Sequence, residues 1–201
     1  GEGDGILSVW DLQSESPERT FRGHTQCVWQ VAALPDREEA LSCSLDGTLK
    51  LWNLDRSTHA PAPTAHVKGV RALALLSGGR ALSTGWDDRA ILWNLKTGHR
   101  LLTLENWGGL VAVTPDGRSV LVSSSDRARD CPLELWDLDT GSRQLTLAHE
   151  PQDWSPSLLL VSPDGHRAVC AGLSHIRVWN LESGALLHRL EDHHFGIRAL
   201  C

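Results

Sequence analysis

Along residues 41 to 54 the chain reads Leu-Ser-Cys-Ser-Leu-Asp-Gly-Thr-Leu-Lys-Leu-Trp-Asn-Leu, with apolar and polar positions alternating on either side of Asp46-Gly47. Alternation with a period of two places one set of side chains on a single face, and Asp-Gly between two such runs predicts a β-hairpin. The hairpin ends in Trp, a small polar residue and Leu. That ending returns at Val9-Trp10-Asp11-Leu12, Leu92-Trp93-Asn94-Leu95, Leu135-Trp136-Asp137-Leu138 and Val178-Trp179-Asn180-Leu181. The marker tryptophans at 10, 52, 93, 136 and 179 are 42, 41, 43 and 43 residues apart. A fixed period of this length, filled with strand chemistry, predicts stacked repeats.

Within one period the pattern predicts four short strands. Glu18 to Phe21 is followed by Gly23-His24 and the apolar run Val28 to Leu34, then by a turn at Pro35-Asp36 and a strand over Glu39 to Ser44. Later periods repeat the order: Val70 to Leu76, Ser77-Gly78-Gly79 and Ala81 to Gly85; then Thr114-Pro115-Asp116-Gly117 and Val120 to Ser124; then Ser162-Pro163-Asp164-Gly165 and His166 to Gly172. Arg127 to Pro132 lengthens the loop before Trp136, and a last strand starts near Gly196. Helical spacing of apolar positions is hard to find in any window of 11 or more residues. The expected class is all-β.

Composition changes this picture little. Nine Trp stand beside two Phe and no Tyr, and five of the nine are repeat markers, so the excess is mostly architectural. The formal net charge is −6 and no Lys/Arg block is present, which argues against nucleic acid or an anionic membrane as partner. Five Cys form no Cys-x-x-Cys and no Cys/His comb, so neither a disulfide framework nor a metal site is indicated. Cys43 and Cys170 read as small buried strand residues. No apolar run reaches the ~20 residues of a membrane helix.

Gly23-His24, the two Pro-Asp-Gly turns, an Asp six residues before Trp (4/10, 46/52, 87/93) and the five Trp-Asp or Trp-Asn pairs make the chain resemble the WD-repeat β-propeller family. The resemblance covers nearly all 201 residues. It implies four-stranded antiparallel blades, each with a buried relay of Trp, Ser/Thr, His and Asp. An indole can only donate, a carboxylate can only accept, and Ser and His do both, so such a relay can be fully satisfied. Mapped onto this chain, the first complete blade supplies Trp52, Ser44, His24 and Asp46. The second supplies His66, Asp87 and Trp93, with Gly85 where Ser is expected. The third offers Asn106, Ser124, Asp126 and Trp136. In the fourth, Leu173 takes the Asp position and the roles of His149 and Cys170 are open; His193 would begin another blade. These polar residues are expected to be structural, with no catalytic residue and no cofactor.

The expected organisation is a partial blade over 1–22, blades at about 23–64, 65–105, 106–148 and 149–191, and a further partial blade over 192–201. Seven-bladed closure at this period would need roughly 290 residues. The expectation is therefore an incomplete ring: part of a longer chain, or one completed by self-association.

Four tryptophans lie outside the markers: Trp29, Trp86, Trp107 and Trp154. The strand order maps all four to one end of the blades, where the family usually holds peptides and proteins, and Trp is enriched in binding hot spots. The alternative for each is packing between blades. The predicted function is a non-catalytic, intracellular (cytoplasmic) platform for a protein or peptide; the alternative is the sensor portion of a larger signalling protein with a nucleotide-binding or kinase region elsewhere. A hydrolase reading finds no convergent acid pair. Asp87-Asp88, and Glu191-Asp192 beside His193-His194, make poor metal sites, because neighbouring strand residues point to opposite faces unless they lie in a loop, where the His-His pair is expected; no metal is predicted there.

Overall fold

The computed structural model describes residues 5–34, 37–56, 58–60, 65–105, 107, 109–123, 132–147, 157–172 and 175–191. Trp154, Asn106, Ser124, Asp126, His149, Leu173, His193, the insertion over 127–131 and the strand expected near Gly196 lie outside the described residues. Every regular element among the described residues is a β-strand. No helix there is long and apolar enough to cross a membrane.

The strands form antiparallel meanders. β1 (Ile6–Asp11) and β2 (Ser16–Arg22) make a two-stranded sheet. Four four-stranded sheets follow in chain order. The first holds β3 (Val28–Leu34), β4 (Glu39–Ser44), β5 (Leu49–Asn53) and β6 (Thr58–Ala60). The second holds β7 (Val70–Leu76), β8 (Arg80–Gly85), β9 (Arg89–Asn94) and β10 (Arg100–Glu105). The third holds β11 (Val111–Val113), β12 (Ser119–Ser123), β13 (Leu133–Asp137) and β14 (Arg143–Leu147). The fourth holds β15 (Leu158–Val161), β16 (Arg167–Ala171), β17 (Ile176–Asn180) and β18 (Leu186–Leu190). Within each sheet consecutive strands are neighbours, as short turns between antiparallel strands require.

Two compact units divide the chain, Gly1–Glu105 and Asn106–Cys201. In the first unit, Leu41, Cys43, Leu49, Val70, Leu73 and Ile91 share one apolar cluster. Leu121, Leu133, Leu147, Leu159, Cys170 and Trp179 share another in the second. Each cluster draws on two adjacent sheets, so a sheet hides its face against its neighbour, at about 2 kcal/mol for each fully buried Leu. Burial pushes the thiols of Cys43 and Cys170 up to about 12, which makes both poor nucleophiles.

The register gives every sheet a common origin. The marker Trp lies opposite Ala40, Ala81, Val120 and Ala168 in turn. Trp52 is only 1% exposed, whereas Trp10, on the two-stranded sheet, is 56% exposed. Glycine is demanded where one sheet's turn meets the next. Gly47 has φ +79, and a Cβ there would lie 2.2 Å from the carbonyl oxygen of His66, while Gly47 O accepts hydrogen bonds from the amides of Ala65 and His66.

Candidate functional site

The structure joins Trp52, His24 and Asp46, but the serine between them is Ser42, not Ser44. Trp52 Nε1 donates to Ser42 Oγ at 2.8 Å, Ser42 Oγ lies 2.7 Å from His24 Nε2, and His24 Nδ1 lies 2.9 Å from Asp46 Oδ2. An ionised Asp46 can only accept, so Nδ1 carries the histidine proton and Nε2 accepts from the serine hydroxyl. The correction follows from register. Trp52 pairs with Ala40, so the residue diagonally across on the same face is Ser42. Ser44 lies two residues further on, where it donates to Gln26 O at 3.1 Å and accepts from the amide of Asp46 at 3.1 Å.

The second sheet repeats the relay with Ser83. Trp93 Nε1 donates to Ser83 Oγ at 2.9 Å, Ser83 Oγ is 2.9 Å from His66 Nε2, and His66 Nδ1 is 2.7 Å from Asp87 Oδ1. Gly85 therefore does not stand where the relay serine belongs. A Cβ at Gly85 would come within 2.3 Å of His66 Nδ1 and 2.5 Å of Asp87 Oδ1, so the glycine makes room for the pair. Burial drives the His66 pKa down, against the pull of Asp87. Burial pushes the Asp46 carboxyl up, but hydrogen bonds from the Thr48 side chain, the Thr25 and Thr48 amides and His24 outweigh it and hold its pKa at about 2. In Asp87, too, burial is outweighed, here by the Val67 amide and by His66, and its pKa is lowered.

The third and fourth sheets replace the serine. Counting from the residue opposite the marker Trp, the relay position is Val122 in one and Cys170 in the other. Trp136 Nε1 donates instead to Glu134 Oε2 at 3.0 Å, and Glu134 Oε1 accepts from Arg143 at 2.7 Å. Trp107 packs edge-on against Trp136, ring centroids 4.4 Å apart, as His24 packs edge-on against Trp52 at 6.0 Å. Trp107 is only 6% exposed and so belongs to the packing, not to an open face.

Among the described residues two of the additional tryptophans do reach solvent: Trp29 is 54% exposed and Trp86 is 45% exposed. A shift of register between Val28 and Gln30 makes Trp29 a bulge residue, and the same shift between Val70 and Ala72 makes Arg71 its counterpart. A bulge leaves one residue out of the ladder and re-aims its side chain. Arg71 uses this freedom to stack its guanidinium over Trp86, 4.8 Å from the ring centroid, worth about 0.5–1 kcal/mol at an exposed site. Asp88 completes the group. It follows Asp87 as Gly47 follows Asp46, yet holds φ +61 with a side chain attached, and its charge acts favourably on Arg71. Arg71 was absent from the sequence reading: aligning the repeats on Trp52 and Trp93 sets Val70 level with Trp29, and only the register of the two bulges makes Arg71 its counterpart. Among the described residues, no three His, Cys, Asp or Glu side chains gather as metal ligands.

Tandem four-stranded meanders, each anchored by a Trp and two of them wired through His, Ser and Asp, define a repeat protein built of propeller-type blades. Residues 15–53 match the family model described as WD domain, G-beta repeat. The chain is 30% identical over 199 residues to WD repeat-containing protein VIP3 of Arabidopsis thaliana, covering 88% of this chain and 60% of that protein. It is 28% identical over 199 residues to nuclear distribution protein PAC1 of Arthroderma otae, covering 82% of this chain and 42% of that protein. It is 24% identical over 200 residues to human apoptotic protease-activating factor 1, covering 94% of this chain and 15% of that protein. The chain belongs to the WD-repeat family, and it spans about half the length of the first two relatives.

Proposed function

We propose that this chain is a non-catalytic platform that holds a protein or peptide through Trp29 and Trp86, at the end of the sheets where β3 and β7 begin. The observation that carries this reading is the pair of large exposed indoles, one of them pinned flat by Arg71. A pre-positioned aromatic side chain loses little entropy on binding, which is why such residues dominate interface energetics. The His24–Asp46 and His66–Asp87 pairs, the side chains with acid–base character, are occupied within the buried relays. The setting is the cell interior, a reading supported by the free thiols of Cys27, Cys43 and Cys170.

A peptide library displayed on phage and selected on the full 201-residue chain tests the proposal. Selected peptides, titrated by tryptophan fluorescence, should bind roughly tenfold or more weakly to Trp29→Ala and Trp86→Ala chains that still unfold cooperatively. Undiminished binding to both variants, or loss of the fold in both, would refute it.

A second reading is favoured by the similarity to apoptotic protease-activating factor 1, of which this chain spans 15%. Here the same surface would serve as the sensing portion of a larger signalling protein, and self-association through the edge of β1 near Trp10 would be an alternative use of an exposed strand.

A further inference from the structure

The opposite end of the first unit carries a second surface. Between the first and second sheets, where β3 and β7 end, a groove of about 540 Å³ is lined by Leu34, Leu75, Leu76 and Leu95, with Arg37 and Arg80 beside them. That volume falls within the range of ligand-holding clefts. Leu34, Leu75 and Leu95 extend the unit's apolar core outward. The turn at Gly78 and Gly79 leaves room, since a Cβ at either would have no heavy atom within 4 Å. Among the described residues lining the groove, the only charged ones are the two arginines. Arg37 reaches Glu39 at 3.4 Å and Arg80 Nε donates to Ser77 O at 3.3 Å, both contacts at the exposed surface.

The fold does not impose this charge. In the second unit the corresponding groove, between the β11–β12 and β15–β16 turns, measures about 500 Å³ and is lined by Asp116, Asp164, Glu182 and His166. The two grooves thus differ in the charges that line them, two arginines in the first unit against Asp116, Asp164 and Glu182 in the second.

We infer that the groove at Leu34, Leu75, Leu76 and Leu95 is a docking site for a peptide segment that presents leucine-like side chains flanked by carboxylates. The apolar floor takes the aliphatic groups, and the two guanidiniums supply forked donors that match carboxylate geometry. An extended polyphosphate would find a chain of net charge −6 and an apolar floor with no use for it. The site is separate from the tryptophan surface and does not depend on it.

The probe is an acetylated Glu-Leu-Leu-Glu-Glu peptide added to the isotope-labelled full chain and followed by amide NMR. Shifts should concentrate at Gly78, Gly79 and Arg80, leave Trp86 unmoved, and weaken as salt is raised. The Arg37→Glu, Arg80→Glu double variant should bind at least roughly tenfold more weakly, and Arg37→Lys, Arg80→Lys, which keeps the charge but loses the fork, should fall between it and the unaltered chain. Three results would overturn the inference: equal binding of the Gln-Leu-Leu-Gln-Gln peptide, shifts centred on Trp86, or stronger binding of a single-stranded oligonucleotide at the same amides.

Discussion

The two units solve one packing problem in different ways. In the first, Trp52 and Trp93 are each tied through a serine to a histidine and an aspartate. In the second, the serine position holds Val122 or Cys170, and Trp136 is held by Glu134 and by the ring of Trp107. The strand order of the sheets is the same in both. The relay is therefore one means of seating the marker tryptophan, and an aromatic contact can take its place. What differs is directionality: a relay fixes every donor and acceptor and responds to pH, whereas an edge-on ring contact depends chiefly on the volume it fills.

The sharpest way to break this comparison is to remove volume from the second unit. Trp107→Ala should cost about 3–5 kcal/mol in urea unfolding, the range for emptying a buried aromatic site. Trp86→Ala, at the exposed indole, should cost less than about 1 kcal/mol. If the two variants lose equal stability, the distinction between packed and presented tryptophan fails. A smaller effect is expected from Ser42→Ala, which leaves the Trp52 indole and a histidine nitrogen without their shared partner, at about 2–3 kcal/mol. Ser44→Ala should lose about 1 kcal/mol, and the reverse ranking would restore Ser44 to the relay.

Acidification reads the same contrast at lower amplitude, because each titrating group keeps part of its network. Burial lowers His66 from an ordinary value near 6.5, so its contribution is intact above that value and fades as pH falls below it. Asp46, held at about 2 against an ordinary 3.8, contributes fully above 3.8 and loses that contribution as pH falls through 2. Between pH 6.5 and pH 4 the first unit should therefore loosen before the second. Hydrogen exchange at β8 and β9, corrected for its intrinsic pH dependence and compared with β12 and β13, measures this. Earlier loosening of β12 and β13 would contradict it.

The sheets were legible because their signals are local. Asp46-Gly47, the alternating strands and the recurring tryptophans each state a turn or a face within a few residues, and the bounds of β3, β4 and β7 agree with the sequence reading to the residue. The relay serine was not legible. Ser42 and Ser44 share a face and a chemistry, and only the pairing of Ala40 with Trp52 tells them apart. Trp107 misled because position in a loop says nothing about burial; the missing histidine near it was the available clue that some other ring must cover Trp136. Arg71 and Trp29 owe their presentation to bulges, which leave no composition signal in Val-Trp-Gln or Val-Arg-Ala.

Gln30, one residue past the Trp29 bulge, joins the first and second sheets. Its side-chain Nε2 donates to Leu73 O at 2.9 Å and its Oε1 accepts from Leu73 N at 3.0 Å. Greasy surfaces alone can slide past each other by a fraction of a residue at little cost, but a two-pronged amide clip cannot. By gripping both backbone groups of a single residue it indexes β7 against β3 like a detent. The chain between β6 and β7 is thereby relieved of setting the spacing between the sheets, and its length is left free to vary.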